Sequence, residues 1–274
     1  MSDKRAKRAK GMVVSLEDKS CIITGGASGI GFACIERFLE AGAAVVAVDI
    51  AKDLPERLSK LSATWGKQLT SVVGSVAAEQ TWKSATEAAL KEFGRLDVVV
   101  SVAGVGVFKP LDTTTEQEWD LVLGVNTKAL WLAARLCVPI MRKQKSGLFL
   151  NTGSISSVCG MAAQGAYSAS KGAVSQLTRQ MAKEYAADGI RTNAVCPGSV
   201  RTQVLDNYCT DQAKGDPEGR DASHFLGAVA AAHPVGRIAE ADEIARFYLY
   251  LASEHASFFN GANLMIDGGY SACS

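Results

Sequence analysis

The chain has 274 residues and a formal net charge of +1, with 47% hydrophobic and 21% charged residues. That balance fits one large or two small globular domains with a sizeable core. It offers no strong overall field for nucleic acid or an anionic membrane. Charge is uneven at the start, where Lys4, Arg5, Lys7, Arg8 and Lys10 stand against Asp3 alone; taking that local +4 from +1 leaves the remainder near −3. Residues 1–15 read as a disordered, solvated basic arm. The arm has no apolar h-region and so is not a secretory signal. No run is expected to be long and apolar enough to span a bilayer. Seven cysteines (Cys21, Cys34, Cys137, Cys159, Cys196, Cys209 and Cys273) are widely spaced without a C-x-x-C, which predicts reduced thiols in a cytoplasmic protein. His224, His233 and His255 have no metal-ligand spacing, so no metal site is expected.

In chain order, short apolar runs alternate with longer amphipathic stretches. Strands are predicted at 21–24, 43–48, 69–73, 96–101, 147–152, 191–196 and 263–266. Most are continuous and β-branched, as a parallel sheet covered on both faces requires. Helices are predicted at about 29–41, 79–93, 115–143, 165–187 and 240–252, with apolar residues at three- and four-residue spacing. The alternation predicts an α/β, doubly wound single domain over residues 16–274. Residues 203–235 break the rhythm, being rich in charge and poor in apolar anchors. A long excursion after the sixth strand would lie over the carboxyl edge of the sheet, as a cover for a ligand.

The first strand runs into T-G-G-A-S-G-I-G at 24–31 and then a helix. Gly25, Gly29 and Gly31 let the turn tighten and the backbone approach a pyrophosphate, while the helix N-terminus offers free N–H groups. Ser28 and Ile30 belong to the same loop. Asp49 ends the second strand, where a carboxylate accepts from a ribose diol and repels a 2′-phosphate. Ile50 and Ala51 follow it, and Lys52, expected on the next helix, is the nearest cation. NAD is therefore expected over NADP, although Asp49 could equally cap a turn.

Tyr167 and Lys171 lie four apart in Y-S-A-S-K, on one face of a helix. An ammonium beside a phenol favours the phenolate and would draw the tyrosine's pKa toward neutral. With Ser154 close by, the three make a proton-transfer site for an alcohol or carbonyl. Alone, the pair is weak, since most such pairs are unrelated surface residues.

Taken together, these features make the chain resemble the short-chain dehydrogenase/reductase family, from about Leu16 to Ala272. The matching motifs are the loop at 24–31, Ala103-Gly104, Asn126 in G-V-N-T, Ser154, Y-S-A-S-K at 167–171, P-G-S-V-R-T at 197–202 and I-D-G-G at 266–269. The resemblance implies a Rossmann-type sheet of seven parallel strands, a nicotinamide cofactor and a homotetramer or homodimer. It implies a catalytic set of Asn126, Ser154, Tyr167 and Lys171. In that set Tyr167 is the acid/base, Lys171 lowers its pKa and holds the nicotinamide ribose, and Ser154 holds the substrate oxygen. Asn126 would break its helix and fix a water leading from Lys171 to solvent. Pro197, Gly198, Val200 and Thr202 would face the nicotinamide, and Ser75 and Val76 the adenine.

The family often has an Asn pair before A-G, where this chain has Ser101-Val102. It commonly has an aspartate where Ser75 stands. These departures place adenine affinity and local rigidity in doubt. Ser156, Cys159, Met161, Gln164, Ser199, Leu205, Tyr208, Phe225 and Leu226 are candidate substrate walls, and each could equally be packing. Ser168, Ala169, Gly172 and Ala173 suit a subunit interface or the core. The expected activity is NAD-dependent interconversion of a secondary alcohol and a ketone. The alternatives are 3-oxoacyl thioester reduction or a non-redox lyase, isomerase or cyclase on the same fold.

Overall fold

β-Branched runs separated by amphipathic stretches pack as parallel strands with helices on both faces, because each strand must bury both of its sides. The computed structural model describes residues 14–272; most of the basic arm and Cys273 lie outside the described residues. The strands are β1 (Ser20–Thr24), β2 (Ala44–Asp49), β3 (Leu69–Val73), β4 (Val98–Ser101), β5 (Gly147–Thr152), β6 (Ile190–Pro197) and β7 (Asn263–Ile266). They form one seven-stranded sheet in the order β3-β2-β1-β4-β5-β6-β7. Every pairing is parallel. The expected α/β single domain is therefore present, each strand lying within two residues of its predicted ends.

The helices are α1 (Gly29–Glu40), α2 (Leu54–Arg57), α3 (Ser59–Trp65), α4 (Glu79–Phe93), α5 (Glu116–Leu123), α6 (Ala129–Gln144), α7 (Gly165–Tyr185), α8 (Gln203–Lys214), α9 (Ala222–Ala231) and α10 (Ala241–Ala252). Strand side chains alternate between two cores. Ile23, Val45, Val100 and Leu150 meet Ile35 and Phe38 of α1 and Ile244 and Tyr248 of α10. Ile22, Val46, Val99 and Phe149 meet Trp82 of α4 and Leu132, Cys137 and Met141 of α6. Both sides of β1 and β4 and most of β2, β5 and β6 are dry, which is why those runs are largely apolar.

Four expectations need correction. The helix predicted over 115–143 is broken where the resemblance implied that Asn126 would break it: a π turn at Gly124–Lys128 separates α5 from α6, with Asn126 buried in it. Contrary to expectation, the helical run Glu116–Gln144 is long and apolar enough to cross a membrane by length and composition. Its apolar window has a mean hydropathy of 1.4 and is 50% buried inside the domain. That burial identifies a core helix, whose apolar face is spent on the sheet. Residues 203–235 are a helical pair, not an irregular excursion. The only buried residue of α8 is Cys209 and α9 has none, so no apolar period marks them. Finally, two short helices, α2 and α3, fill the β2–β3 connection, and Lys52 lies in the turn before α2.

Gly31 shows how closely strand and helix approach. A Cβ placed there would lie 2.1 Å from the Gly25 carbonyl oxygen, a backbone atom that cannot swing away. Exposed Gly227 in α9 has nothing within 4 Å of such a Cβ. Gly31→Ala should lower unfolding free energy by roughly 3 kcal/mol. Gly227→Ala should be neutral or stabilise by up to about 1 kcal/mol. Urea denaturation of the two variants beside the wild type measures both.

Candidate active site

β1 pairs with β2 on one side and β4 on the other, so successive crossovers leave in opposite directions and open a crevice at the carboxyl edge. A cleft of about 700 Å³ occupies that edge. Gly25, Ser28, Gly29, Ile30, Asp49, Ile50, Ser75, Val76, Ala103, Gly104, Pro197, Gly198, Val200 and Thr202 all line it. Gly31 does not; it serves the strand–helix contact described above. Gly25 and Gly29 have φ of +73° and +55°, a left-handed conformation that side-chain-bearing residues rarely take. A Cβ on Gly25 would lie 3.0 Å from the Ala103 amide nitrogen. The Ser28 side chain does not cap α1, so the first-turn amides remain for an anion. This cradle fits a dinucleotide pyrophosphate.

Asp49 takes the turn-capping part foreseen for it. Its Oδ2 accepts from the Ala27 amide at 3.0 Å and its Oδ1 from the Ala51 amide at 3.0 Å. Each carboxylate oxygen retains acceptor capacity, and Asp49 lines the cleft. Arg57 also reaches the glycine loop, its Nη1 donating to the Ala27 carbonyl at 3.5 Å. Arg57 is held by Asp53 at 2.9 Å. Ser75 lines the cleft, and its hydroxyl already accepts from the Ala77 amide at 3.3 Å.

Ser154, Tyr167 and Lys171 converge on the same cleft. Ser154 caps a short 3₁₀ turn, its Oγ accepting from the Ser156 amide at 3.1 Å. The Ser157 hydroxyl, donating to the Lys171 carbonyl at 3.0 Å, ties that turn to α7. The Lys171 ammonium is buried, donates to the Thr152 carbonyl at 2.8 Å and lies 5.5 Å from the Tyr167 ring centroid. Burial holds its pKa down to about 8. Burial also pushes the Tyr167 phenol above its ordinary value, opposed by a hydrogen bond from Ser154. The expected fall toward neutral is absent, because burial disfavours the phenolate more than the Ser154 hydrogen bond favours it.

Asn126 is fully used by the chain. Its Nδ2 donates to the Val105 carbonyl and to Ser170 Oγ, both at 2.9 Å, and its Oδ1 accepts from the Val105 amide at 2.9 Å. It pins the loop after β4 to α7. The rigidity placed in doubt by Ser101-Val102 has other sources. Thr24 Oγ1 accepts from the Val102 and Ala103 amides at 3.0 and 3.1 Å. Thr152 Oγ1 donates to the Ser101 carbonyl at 2.7 Å, while the Ser101 hydroxyl itself is buried without a partner.

Of the candidate substrate walls, Ser156, Met161, Gln164, Ser199, Leu205, Tyr208 and Phe225 line the cleft; Cys159 and Leu226 do not. Cys196 is buried and its thiol is pushed up by burial, which leaves it inert as a nucleophile. Sequence reasoning missed Phe108, Val229, His233 and Tyr270, which also line the cleft. His233 is buried. Its Nε2 accepts from the Ser199 amide at 3.0 Å and its Nδ1 pairs with the Val229 carbonyl at 2.8 Å. It thereby joins α9 to the Pro197–Ser199 loop as a neutral imidazole. A position 34 residues from Ser199 carries no local signal of that contact.

This arrangement has close relatives. A family model described as enoyl-(acyl carrier protein) reductase matches residues 25–271. The chain is 36% identical over 258 residues to 2-(R)-hydroxypropyl-CoM dehydrogenase of Xanthobacter autotrophicus, covering 92% of this chain and 98% of that one. It is 35% identical over 254 residues to a 3-oxoacyl-(acyl-carrier-protein) reductase of Thermotoga maritima, covering 93% and 98%. Cyclopentanol dehydrogenase of a Comamonas species is 33% identical over 257 residues, covering 94% and 98%. Among solved structures, L-sorbose reductase of Gluconobacter frateurii in complex with NADPH and L-sorbose superposes with a TM-score of 0.87 at 29% identity, covering 94% and 98%. The chain belongs to the short-chain dehydrogenase/reductase family.

Burying Lys171 costs stability while it is charged. Below about pH 8 it is protonated both folded and unfolded, and the cost is fully present. Between about 8 and its ordinary value of 10.5 only the unfolded chain stays protonated, so stability rises with pH through that window. Lys171→Met should therefore stabilise the chain at pH 7 by roughly 1–3 kcal/mol while abolishing activity. The gain should fade as urea titrations are repeated toward pH 10.

Proposed function

We propose that the protein is an NAD-dependent oxidoreductase that interconverts a secondary alcohol and a ketone. The observation that carries this reading is the convergence of Ser154, Tyr167 and Lys171 on the cleft that also holds the glycine loop and Asp49. When bound, the nicotinamide ring accepts or returns the hydride. The chain's residues handle position and proton. Ser154, which accepts from the Ser156 amide and pairs with the Tyr167 phenol, turns its hydroxyl proton to the substrate oxygen once substrate is bound. Tyr167 takes the hydroxyl proton in oxidation and returns it in reduction. Lys171 holds positive charge beneath the phenol and has N–H groups to spare for the nicotinamide ribose. Asn126 and the π turn fix the loop and helix between which these groups sit.

The Asp49 carboxylate supports NAD over NADP, since a 2′-phosphate would meet its charge and Arg57 is already paired with Asp53. The dehydrogenases acting on hydroxypropyl-CoM and cyclopentanol support alcohol–ketone chemistry. Reduction of a 3-oxoacyl thioester is the second reading, favoured by the Thermotoga relative. Non-redox chemistry on this fold would leave the dinucleotide unchanged in the same assay. A homotetramer or homodimer through the open face of α7 is the assembly we propose. It would use exposed Ala169 and half-buried Ser168, Gly172 and Ala173. The six described cysteines are free thiols, in keeping with a cytoplasmic location.

Tyr167→Phe should lower turnover by about 10²–10⁴-fold with little change in dinucleotide affinity; NADH production from an alcohol panel measures it, and full activity would refute the acid/base role. In the wild type, kcat/KM for oxidation should climb through the alkaline range, because burial raises the phenol that must ionise. Reduction, which uses the protonated phenol, should stay level until the same alkaline limb. Replacing Asp49 with Ser should lower the NAD-over-NADP ratio of kcat/KM by at least about tenfold, read with both dinucleotides at saturating alcohol.

A further inference from the structure

We propose that the alcohol or ketone taken by this site is a neutral, compact, mainly apolar and ring-bearing molecule, not an anion, a polyol or a carrier-borne thioester. The inference rests on the oxidoreductase reading and concerns the other half of the same cleft. Among the residues lining it, formal charge is carried by Asp49 and Lys171 alone. Asp49 stands at the nucleotide end, bound to the Ala27 and Ala51 amides. The Lys171 ammonium lies beneath the Tyr167 ring and donates to the Thr152 carbonyl. His233 cannot supply a third charge while its Nε2 accepts from the Ser199 amide. A carboxylate, phosphate or sulfonate entering the substrate half would lose its water and meet no cation, a heavy cost.

Four cations on or between the segments that supply the wall are paired. Lys109, next to Phe108, is 2.6 Å from Glu118. Arg220, between α8 and α9, is bound to Asp216 and lies 3.2 Å from Glu218. Arg201 is 3.3 Å from Glu240 and Lys214 3.1 Å from Asp211. An acidic carrier protein or a nucleotide-bearing thioester would meet these four cations already paired with carboxylates.

The wall itself is apolar. Phe108 lies 5.8 Å from the Tyr167 ring and 5.1 Å from the Tyr208 ring, edge to face in the second case. An aromatic surface thus runs from the proton-transfer phenol to α8, and Leu205 and Phe225 line the same cleft. Ser156 donates to Gln164 Oε1 at 3.0 Å, which spends the one proton of the Ser156 hydroxyl. The cleft of about 700 Å³ must also hold the dinucleotide, which leaves room for one or two rings.

The test is a comparison of matched substrates on the intact protein. Cyclohexanol and 1-phenylethanol would be assayed against 3-hydroxycyclohexanecarboxylate, a linear tetritol and 3-hydroxybutyryl-CoA, with either dinucleotide. The neutral rings should exceed each of the others in kcat/KM by at least about 100-fold. An anion, polyol or CoA thioester turned over equally well would overturn the proposal. Leu205→Arg, which places a cation in the wall, should move the ring-to-carboxylate ratio at least about tenfold toward the carboxylate; an unchanged ratio would count against the proposal. Binding of cyclohexanone and of 3-oxocyclohexanecarboxylate to the NADH-loaded protein, read by cofactor fluorescence, separates the two claims. Tighter binding of the neutral ketone without turnover of any alcohol would sink the redox reading and leave the substrate class standing. Tighter binding of the carboxylate would sink the substrate class.

Discussion

The Lys171 ammonium is kept in the interior by one carbonyl, that of Thr152 at the end of β5. A buried charge needs a fixed partner, and a strand end inside a seven-stranded sheet is about as fixed as a backbone can be. The rest of the site is arranged around that contact. Thr152 also reaches across to the Ser101 carbonyl and pairs with the Tyr248 hydroxyl at 2.6 Å. β4, β5 and α10 therefore meet where the lysine is anchored. The 3₁₀ turn bearing Ser154 is held to the same residue through Ser157 and the Lys171 carbonyl.

The low dielectric that lets these groups act also sets their cost. Burial lowers the pKa of Lys171 and raises that of Tyr167. Each charged form is thereby disfavoured until something else in the cleft offsets it. Sequence spacing suggested a lysine that ionises its neighbour directly. The folded geometry shows a lysine facing the sheet with the phenol above it, so the two titrations are governed by burial before they are governed by each other. Stability given up at such a site is a common companion of function.

The departures from the family pattern show how a fold substitutes one hydrogen bond for another. Ser101 contributes no side-chain tie and leaves its hydroxyl unpartnered. The strand ends are nonetheless joined, by Thr24 to the Val102 and Ala103 amides and by Thr152 to the Ser101 carbonyl. Three β-branched threonine and valine positions, unremarkable as text, form the joint. The α8–α9 pair was hidden for a similar reason. Its helices bury little, and α8 carries a local ion pair, Lys214–Asp211, so hydrophobic periodicity had almost nothing to mark.

The seven strands, their parallel order and the glycine loop were legible in the amino-acid sequence because each rests on short-range chemistry. β-Branched runs need two dry faces, and a left-handed turn favours glycine. Ser154, Tyr167 and Lys171 could be read from spacing and motif alone. The direction in which Lys171 spends its charge and the His233 bridge from α9 to Ser199 could not. Each depends on groups far apart in the chain meeting at fixed distance, or on burial altering a pKa, and neither quantity exists until the sheet has closed its two faces. The apolar, charge-poor wall opposite Tyr167 is of the same kind: it is assembled from Phe108, Leu205, Tyr208 and Phe225, side chains on separate segments that share a surface because the fold brings those segments together.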